Sequence, residues 1–187
     1  MTMKYIFIKD FLLNEQREDK KLSQAKLSYG KGDLDPVISE DTMDYHYGKL
    51  YKTYVDRFNA GEGDPTFNEA GAYLHHVYFT QFASPIDNNN PDGTSLEFIN
   101  EHFDSFENLK NEIEKEAMGI QGSGWVYLAK NGKIKTIKNH AMRSDIVLLI
   151  DWWEHAWALD YQADKSKYLK NIWKIIDWSV IDQRLIT

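Results

Sequence analysis

The chain has 187 residues, of which 42% are hydrophobic and 14% aromatic, and its formal net charge is −7 at pH 7. This length and apolar content predict an ordered chain with a sizeable core. The acidic charge argues against a protein that binds nucleic acid or an anionic membrane, because both functions need a basic surface. Cysteine is absent, so any metal must be bound by imidazole and carboxylate groups.

Residues 1–24 are predicted to form an N-terminal extension. Its apolar patches are interrupted by Lys4, Lys9 and Asp10, and no small-residue cleavage site follows, so no signal peptide is recognised. The longest apolar run, 146–150, is far shorter than the roughly 20 residues that cross a bilayer. We therefore expect a soluble, cytoplasmic protein.

Two helices are predicted in an N-terminal helical domain, residues 25–90. A serine followed by two acidic residues at 39–41 is typical of a helix start. Apolar side chains then recur every three or four residues over 43–58. After a Gly- and Pro-containing break at 61–65, a second helical pattern covers 67–82.

A C-terminal α/β domain, residues 91–187, is predicted after an Asn-, Pro- and Gly-rich linker. Amphipathic spacing over 96–118 indicates one or two helices. Two short strand patterns then flank an Asn-Gly pair at 131–132, a strong hairpin signal, and the apolar run at 146–150 predicts a third, buried strand. The predicted class is α+β: a shortened N-terminal helical hairpin followed by an α/β half with a three-stranded antiparallel sheet.

The motif Asp-Trp-Trp-Glu-His at 151–155 directly follows the predicted buried strand. A carboxylate and an imidazole that emerge there among tryptophans would lose solvent, and a metal cation would compensate the buried charge. A buried hydrogen bond between Asp151 and His155 fits the spacing equally well.

Further candidate ligands lie on the two predicted helices. His46 is on the inward stripe of the first helix, although a lone helical histidine is more often a core residue than a ligand. His75 and His76 are adjacent on the second helix, and neighbouring helical residues point about 100° apart, so only one can face the first helix. Three imidazoles and one carboxylate would suit iron, manganese or zinc and leave a fifth position for water.

Four segments of the chain together resemble the iron/manganese superoxide dismutase family. They are TMDYHYGKLYKTYV and FNEAGAYLHHVYF on the helices, GSGWVYL on the first strand and DWWEHAWALDY after the last strand. The resemblance implies an antioxidant oxidoreductase that converts superoxide to dioxygen and hydrogen peroxide. It also implies one iron or manganese ion per subunit, and the implied ligands are His46, His75, Asp151 and His155.

The choice between His75 and His76 depends on their neighbours. Taking His75 as the ligand matches the family's Phe-Asn pair, here at 67–68, and its aromatic pair, here at 78–79. Taking His76 instead would preserve the family's usual distance to Pro85. We predict His75 as the ligand and keep His76 as the alternative.

The resemblance also implies roles for residues around the metal. Tyr54 would gate entry and relay protons, while Trp125, Trp153 and Phe79 would form an apolar wall that limits solvent. His140 occupies a position where manganese enzymes typically carry glutamine and iron enzymes of an archaeal kind carry histidine. Its side chain would hydrogen-bond the metal-bound water. Because histidine is found here mainly in the iron enzymes of the family, the resemblance favours iron, with manganese as a substitute. An exposed loop histidine is the alternative interpretation.

Departures from the family pattern bear on assembly. The stretch between Tyr54 and His75 is shorter than in relatives that form tetramers, so we expect a homodimer. Glu154 is retained, and in the family this glutamate bridges to the last metal ligand of the opposite subunit. Leu50 and Ala158 replace a histidine–tyrosine pair that normally crosses the dimer interface, and the loss of both together leaves no unsatisfied polar partner.

Two other functions are compatible with the same sequence features. One is a non-catalytic structural protein with a superoxide dismutase fold, and retention of all four ligands with Tyr54 and Trp125 argues against it. The other is a different oxygen-handling iron enzyme that uses the same ligands. An activity assay would separate that enzyme from a dismutase.

Overall fold

The computed structural model describes residues 21–187, so residues 1–20 of the predicted extension lie outside the described residues. Within the described part, a pair of helical segments comes first, and a sheet of three strands with surrounding helices follows. The predicted α+β class is therefore confirmed. None of the helices in this part of the chain is both long and apolar enough to span a membrane.

The helical hairpin consists of two segments joined by a short turn. The first runs through α1 (Glu40–Tyr45), a π-helical stretch (His46–Tyr51) and α2 (Lys52–Ala60), and the second is α3 (Pro65–Phe79). Ser39 caps α1 by accepting a hydrogen bond from the Thr42 amide, as the sequence predicts. Gly61, with a φ of 69°, ends α2 in a left-handed conformation that glycine adopts without strain. The turn then returns α3 alongside α2.

The sheet has the strand order β2-β1-β3, and both pairings are antiparallel. Its strands are β1 (Gly124–Ala129), β2 (Ile134–Lys138) and β3 (Ile146–Asp151). The predicted turn at 131–132 connects β1 to β2, and a Cβ atom at Gly132 would lie 2.3 Å from the His102 ring. In the pairing of β1 with β3, Trp125 lies opposite Asp151.

Further helices pack around the sheet. They are α4 (Gly93–Phe103), α5 (Phe106–Gly119), α6 (Ala158–Tyr161), α7 (Lys165–Ile172) and α8 (Trp178–Ile186), with 3-10 turns at Lys31–Leu34, Glu154–Ala156 and Trp173–Ile175. The predicted helical stretch 96–118 is divided because Asp104 has a φ of 65° and Ser105 caps α5.

Helix α3 ends at Phe79, earlier than the predicted end at 82. The Gln81 side chain hydrogen-bonds both the N–H and the C=O of Leu149 in β3. Phe82 then forms an isolated β-bridge with Ile176. These contacts with residues distant in sequence end the helix, and local periodicity does not reveal them.

Candidate metal centre

Four donor atoms converge in the interior between the helical hairpin and the sheet. His46 belongs to the π-helical stretch, His75 to α3, Asp151 to the end of β3 and His155 to the following 3-10 turn. Asp151 Oδ2 lies 3.1 Å from His46 Nε2, 3.5 Å from His155 Nε2 and 3.9 Å from His75 Nε2. The four donor atoms all lie within 4.8 Å of one another.

Each of these donor atoms is buried and has no hydrogen-bond partner among the described residues. Buried polar atoms without partners are costly, so their convergence needs a physical explanation. A cation among them would satisfy all four at once. Ligand atoms bound about 2 Å from one metal lie roughly 3 to 4 Å apart, in agreement with the observed separations.

The charges of these groups also suit a metal. Burial lowers the pKa of His46 to about 4 and lowers the pKa of His75 well below its usual value, so both rings are neutral at pH 7. Burial would raise the pKa of Asp151, but the adjacent His155 and His46 rings outweigh this effect and lower it. Neutral imidazoles and an ionised carboxylate are the forms that bind metal.

His75 and Asp151 are each oriented by a hydrogen bond to the side-chain atom that does not face the cluster. His75 Nδ1 lies 2.7 Å from the Gly71 carbonyl and donates to it, which leaves the Nε2 lone pair directed at the cluster. Asp151 Oδ1 accepts a 2.8 Å hydrogen bond from the Trp153 amide, and Tyr168 donates to the Asp151 carbonyl at 3.1 Å. Asp151 therefore presents Oδ2 in a fixed orientation.

His140 lies beside the cluster, and its ring is buried, with 9% relative exposure. Trp125 Nε1 donates a 3.2 Å hydrogen bond to His140 Nδ1, while His140 Nε2 is buried without a partner in the described chain. Burial lowers the pKa of His140 to about 4, so the ring is neutral at pH 7. Because Nδ1 accepts, the single ring proton is on Nε2.

Tyr54 lies next to His75 and His140, with ring centroids 5.2 Å and 4.9 Å away. Burial, followed by the charge of Asp151, raises the pKa of Tyr54 to about 12. A Cβ atom at Gly71 would come within 2.9 Å of the Tyr54 ring and 3.2 Å of His140. Glycine at this position therefore leaves space for both side chains.

The predicted aromatic wall also surrounds the cluster. Phe79 is fully buried, and its ring centroid is 4.9 Å from that of His46. Trp153 stacks on His140 at 4.7 Å and on His155 at 5.5 Å. Trp125 contacts His75 edge to face at 5.1 Å.

The remaining predicted residues lie outside the converging set. His76 is not among the four donors, and its pKa is lowered to about 4 by burial and by the charge of Arg184. Glu154 is exposed, whereas Leu50 and Ala158 are half-buried.

Three tyrosines that sequence reasoning did not assign also support the site. Tyr51 is buried and stacks on His75 at 5.7 Å, and its hydroxyl accepts a hydrogen bond from the Ala25 amide. Tyr78 and Tyr168 are hydrogen-bonded to each other behind Asp151. Tyr51 lies close to a predicted ligand in sequence, which could have indicated its role, but Tyr168 has no local signal.

The chain matches two family models. The model of the C-terminal domain of iron/manganese superoxide dismutases matches residues 91–184, and the model of their alpha-hairpin domain matches residues 21–65.

Several curated proteins are similar over most of their length. A superoxide dismutase [Fe] of Bacteroides fragilis is 39% identical, with 86% of this chain and 97% of the relative covered. A superoxide dismutase [Mn/Fe] of Porphyromonas gingivalis is 37% identical, with 84% and 96% covered. A superoxide dismutase [Fe] of Plasmodium falciparum is 30% identical, with 88% and 96% covered. The chain belongs to the iron/manganese superoxide dismutase family.

Proposed function

We propose that the protein is a superoxide dismutase that binds one iron or manganese ion per subunit through His46, His75, Asp151 and His155. The observation that carries this proposal is the convergence of four buried donor atoms that have no hydrogen-bond partner among the described residues. When bound, the metal supplies a one-electron redox centre at which superoxide is alternately oxidised to dioxygen and reduced to hydrogen peroxide.

His140 and Trp125 would control a proton beside this centre. Since Trp125 occupies Nδ1 of the neutral His140 ring, Nε2 carries the proton and can donate it to a ligand at the open position. Trp125 is thus the residue that sets the His140 tautomer. Tyr54, with a pKa of about 12, keeps its hydroxyl proton at neutral pH and can relay protons towards the cluster.

Iron is the metal we favour, with manganese as a substitute. The resemblance supports iron, because histidine occupies the position of His140 mainly in the iron enzymes of the family. The Nε2 donor of His140 would lower the reduction potential of whichever metal is bound. Two of the relatives named above are superoxide dismutases [Fe], and one is named [Mn/Fe].

We also propose a homodimer in which Glu154 reaches the partner's metal centre. Metal-binding histidines usually donate the second ring N–H to a carboxylate or carbonyl. Within the described chain His155 Nδ1 has no such acceptor, and the neighbouring Glu154 carboxylate is exposed and makes no ion pair or hydrogen bond. Leu159, which is 60% exposed, lies five residues after Glu154 and adds apolar surface for association.

The division into an extension at 1–24, a helical domain at 25–90 and an α/β domain at 91–187 remains a prediction. The irregular stretch between α3 and α4 supports the boundary near residue 90.

The decisive experiment measures metal content and superoxide dismutation on the same protein sample. We expect about one iron or manganese ion per chain and activity proportional to metal. Protein that contains no metal and has no activity would favour a non-catalytic structural protein with this fold. Protein that binds iron but does not dismute superoxide would favour a different oxygen-handling iron enzyme.

A further inference from the structure

Arg184 on α8 is a buried cation without a carboxylate partner in the described chain. Its relative exposure is 7%, and no acidic oxygen lies within ion-pair distance. Burial lowers the pKa of Arg184 only to about 10, so the guanidinium is charged at neutral pH. A buried charge of this kind is costly unless hydrogen bonds compensate it. Its acceptors therefore indicate what it holds in place.

One side of the guanidinium binds the end of the helix that carries His75. Arg184 Nη2 donates to the Val77 carbonyl at 2.6 Å and to Thr80 Oγ1 at 3.3 Å. Val77 lies in the last turn of α3, where carbonyls lack helical partners and the helix dipole is negative. Arg184 therefore caps α3 two residues after His75.

The other side binds the strand that carries Asp151. Arg184 Nη1 donates to the Val147 carbonyl and to Gln81 Oε1, both at 3.0 Å. Gln81 in turn pairs with the N–H and C=O of Leu149, two residues before Asp151. The guanidinium thus reaches β3 both directly and through one amide side chain.

We propose that Arg184 is a positioning residue that sets the separation between His75 and Asp151, and so tunes the geometry of the metal centre. This inference rests on the proposed metal-binding function. The two ligands come from different elements, and their donor atoms are 3.9 Å apart. Arg184 hydrogen-bonds both elements near their ligands, whereas its hydrogen bonds do not involve the segments that carry His46 and His155.

The planar guanidinium is required for this role. It presents several N–H groups in a fixed arrangement and can bind acceptors on two elements at once. A lysine ammonium is a single point that keeps the charge but cannot reproduce the geometry.

The test compares wild type with Arg184→Lys and Gln81→Met, each loaded with iron. Ile181→Ala is the matched control. Ile181 lies one turn before Arg184 on α8 and is 1% exposed, so its truncation leaves a buried cavity. Its apolar side chain makes no hydrogen bonds, so the substitution removes none to α3 or β3. Three quantities are measured: the ferric EPR spectrum, the rate of iron loss to a chelator, and the midpoint temperature of thermal unfolding. The rhombicity of the EPR spectrum reports the geometry of the ligands.

We expect Arg184→Lys and Gln81→Met to change the rhombicity of the EPR spectrum and to lose iron about 10- to 100-fold faster than wild type. Ile181→Ala should lower the thermal midpoint yet keep the wild-type spectrum and rate. Wild-type spectra and wild-type rates of iron loss in both Arg184→Lys and Gln81→Met would overturn the proposal. If Arg184→Lys does not fold, the result for Gln81→Met alone decides the test.

Failure of the proposed function gives a different result. Wild-type protein that binds iron without dismuting superoxide would overturn the function alone, because the EPR comparison still applies. Wild-type protein without a ferric signal would overturn both proposals.

Discussion

The helical hairpin and the sheet region each supply two of the four donors, but they hold them differently. The hairpin contributes two imidazoles, from a π-helical stretch and from α3, and encloses them with aromatic rings such as Tyr51 and Phe79. The sheet region contributes the only carboxylate, and its oxygen is oriented by the Trp153 amide. It also supplies the Trp125–His140 hydrogen bond.

This difference indicates a division of labour. The negative charge that offsets a cation and the polar groups that handle protons come mainly from the sheet region. The hairpin supplies neutral ligands and an apolar enclosure, and Tyr54 at its edge. Changes in the sheet region should therefore affect metal charge balance and proton transfer, whereas changes in the hairpin should affect enclosure and acid stability.

The largest effect is expected for Asp151→Ala. Without the anionic ligand, three imidazoles cannot neutralise the cation, so metal content and dismutation should fall to background. Metal analysis after purification in iron- or manganese-supplemented medium checks this. Asp151→Asn keeps the shape but loses the charge and should also bind poorly. Full metal occupancy in Asp151→Ala would refute the ligand assignment.

In the hairpin, the adjacent histidines should behave oppositely. His75→Ala should lose most of its metal, because His75 Nε2 is one of the four converging donors. His76→Ala should retain metal and serves as the matched control one residue away. Metal loss only in His76→Ala would reverse the assignment.

Acid should open the metal-free hairpin before the sheet. Burial lowers the pKa of His46 and His76 to about 4 and that of His75 well below its usual value, and all three lie in the hairpin. In the described part of the sheet region, His140 is the one histidine with a pKa that is lowered in this way. The unfolded chain, with histidine pKa values near 6.5, binds more protons as the pH falls. Their stabilisation is therefore complete above about pH 6.5 and is lost as the pH falls towards 4.

A lowering of the pKa from 6.5 to about 4 corresponds to roughly 3 kcal/mol for one ring. Hydrogen exchange of the apo-protein at pH 7 and pH 5 should show earlier loss of protection in the hairpin than in β1 and β3. His76→Gln should flatten the pH dependence of the unfolding free energy. An unchanged slope in this variant would contradict the interpretation.

In the sheet region, His140→Ala should keep the metal but reduce dismutation per bound metal about 10- to 100-fold. Trp125→Phe should weaken activity for a related reason, because it frees His140 Nδ1 to take the proton. Trp178→Phe is the control, since its indole N–H is buried without a partner in the described chain. Equal activity per metal in wild type and His140→Ala would exclude a role for this ring.

The smallest effect is expected at the proposed subunit contact. Glu154→Gln removes a charged acceptor for the partner's metal ligand and should weaken the dimer by about 1 to 2 kcal/mol. Light scattering over a dilution series measures the change, with exposed Glu97→Gln on α4 as the control. A fully active wild-type monomer would remove the cross-subunit role of Glu154.

Local patterns predicted the parts of the fold that local interactions determine. Ser39 caps its helix, the Asn-Gly turn forms its hairpin, and the motif at 151–155 begins at the last residue of a buried strand. The π-helical stretch was not predicted, because apolar spacing at three and four residues does not distinguish it from an α-helix.

Contacts between distant residues could not be predicted from spacing. Tyr168 binds the Asp151 carbonyl across 17 residues, and Arg184 binds Val77 across 107. A tyrosine or arginine in an amphipathic helix usually indicates a solvated or packed side chain, so the local pattern does not reveal the roles of Tyr168 and Arg184. The sequence therefore indicated which residues converge at the candidate metal centre better than it indicated what holds them in place.

The two edges of the sheet have different consequences for self-association. The outer edge of β3 is covered at Leu149 by the Gln81 amide, so it offers no template there for a foreign strand. No strand of the described residues pairs with the outer edge of β2, which is five residues long and carries Lys135 and Lys138. Short, charged edges oppose strand pairing between molecules. Both edges of the sheet therefore oppose the growth of the folded protein into β-sheet aggregates.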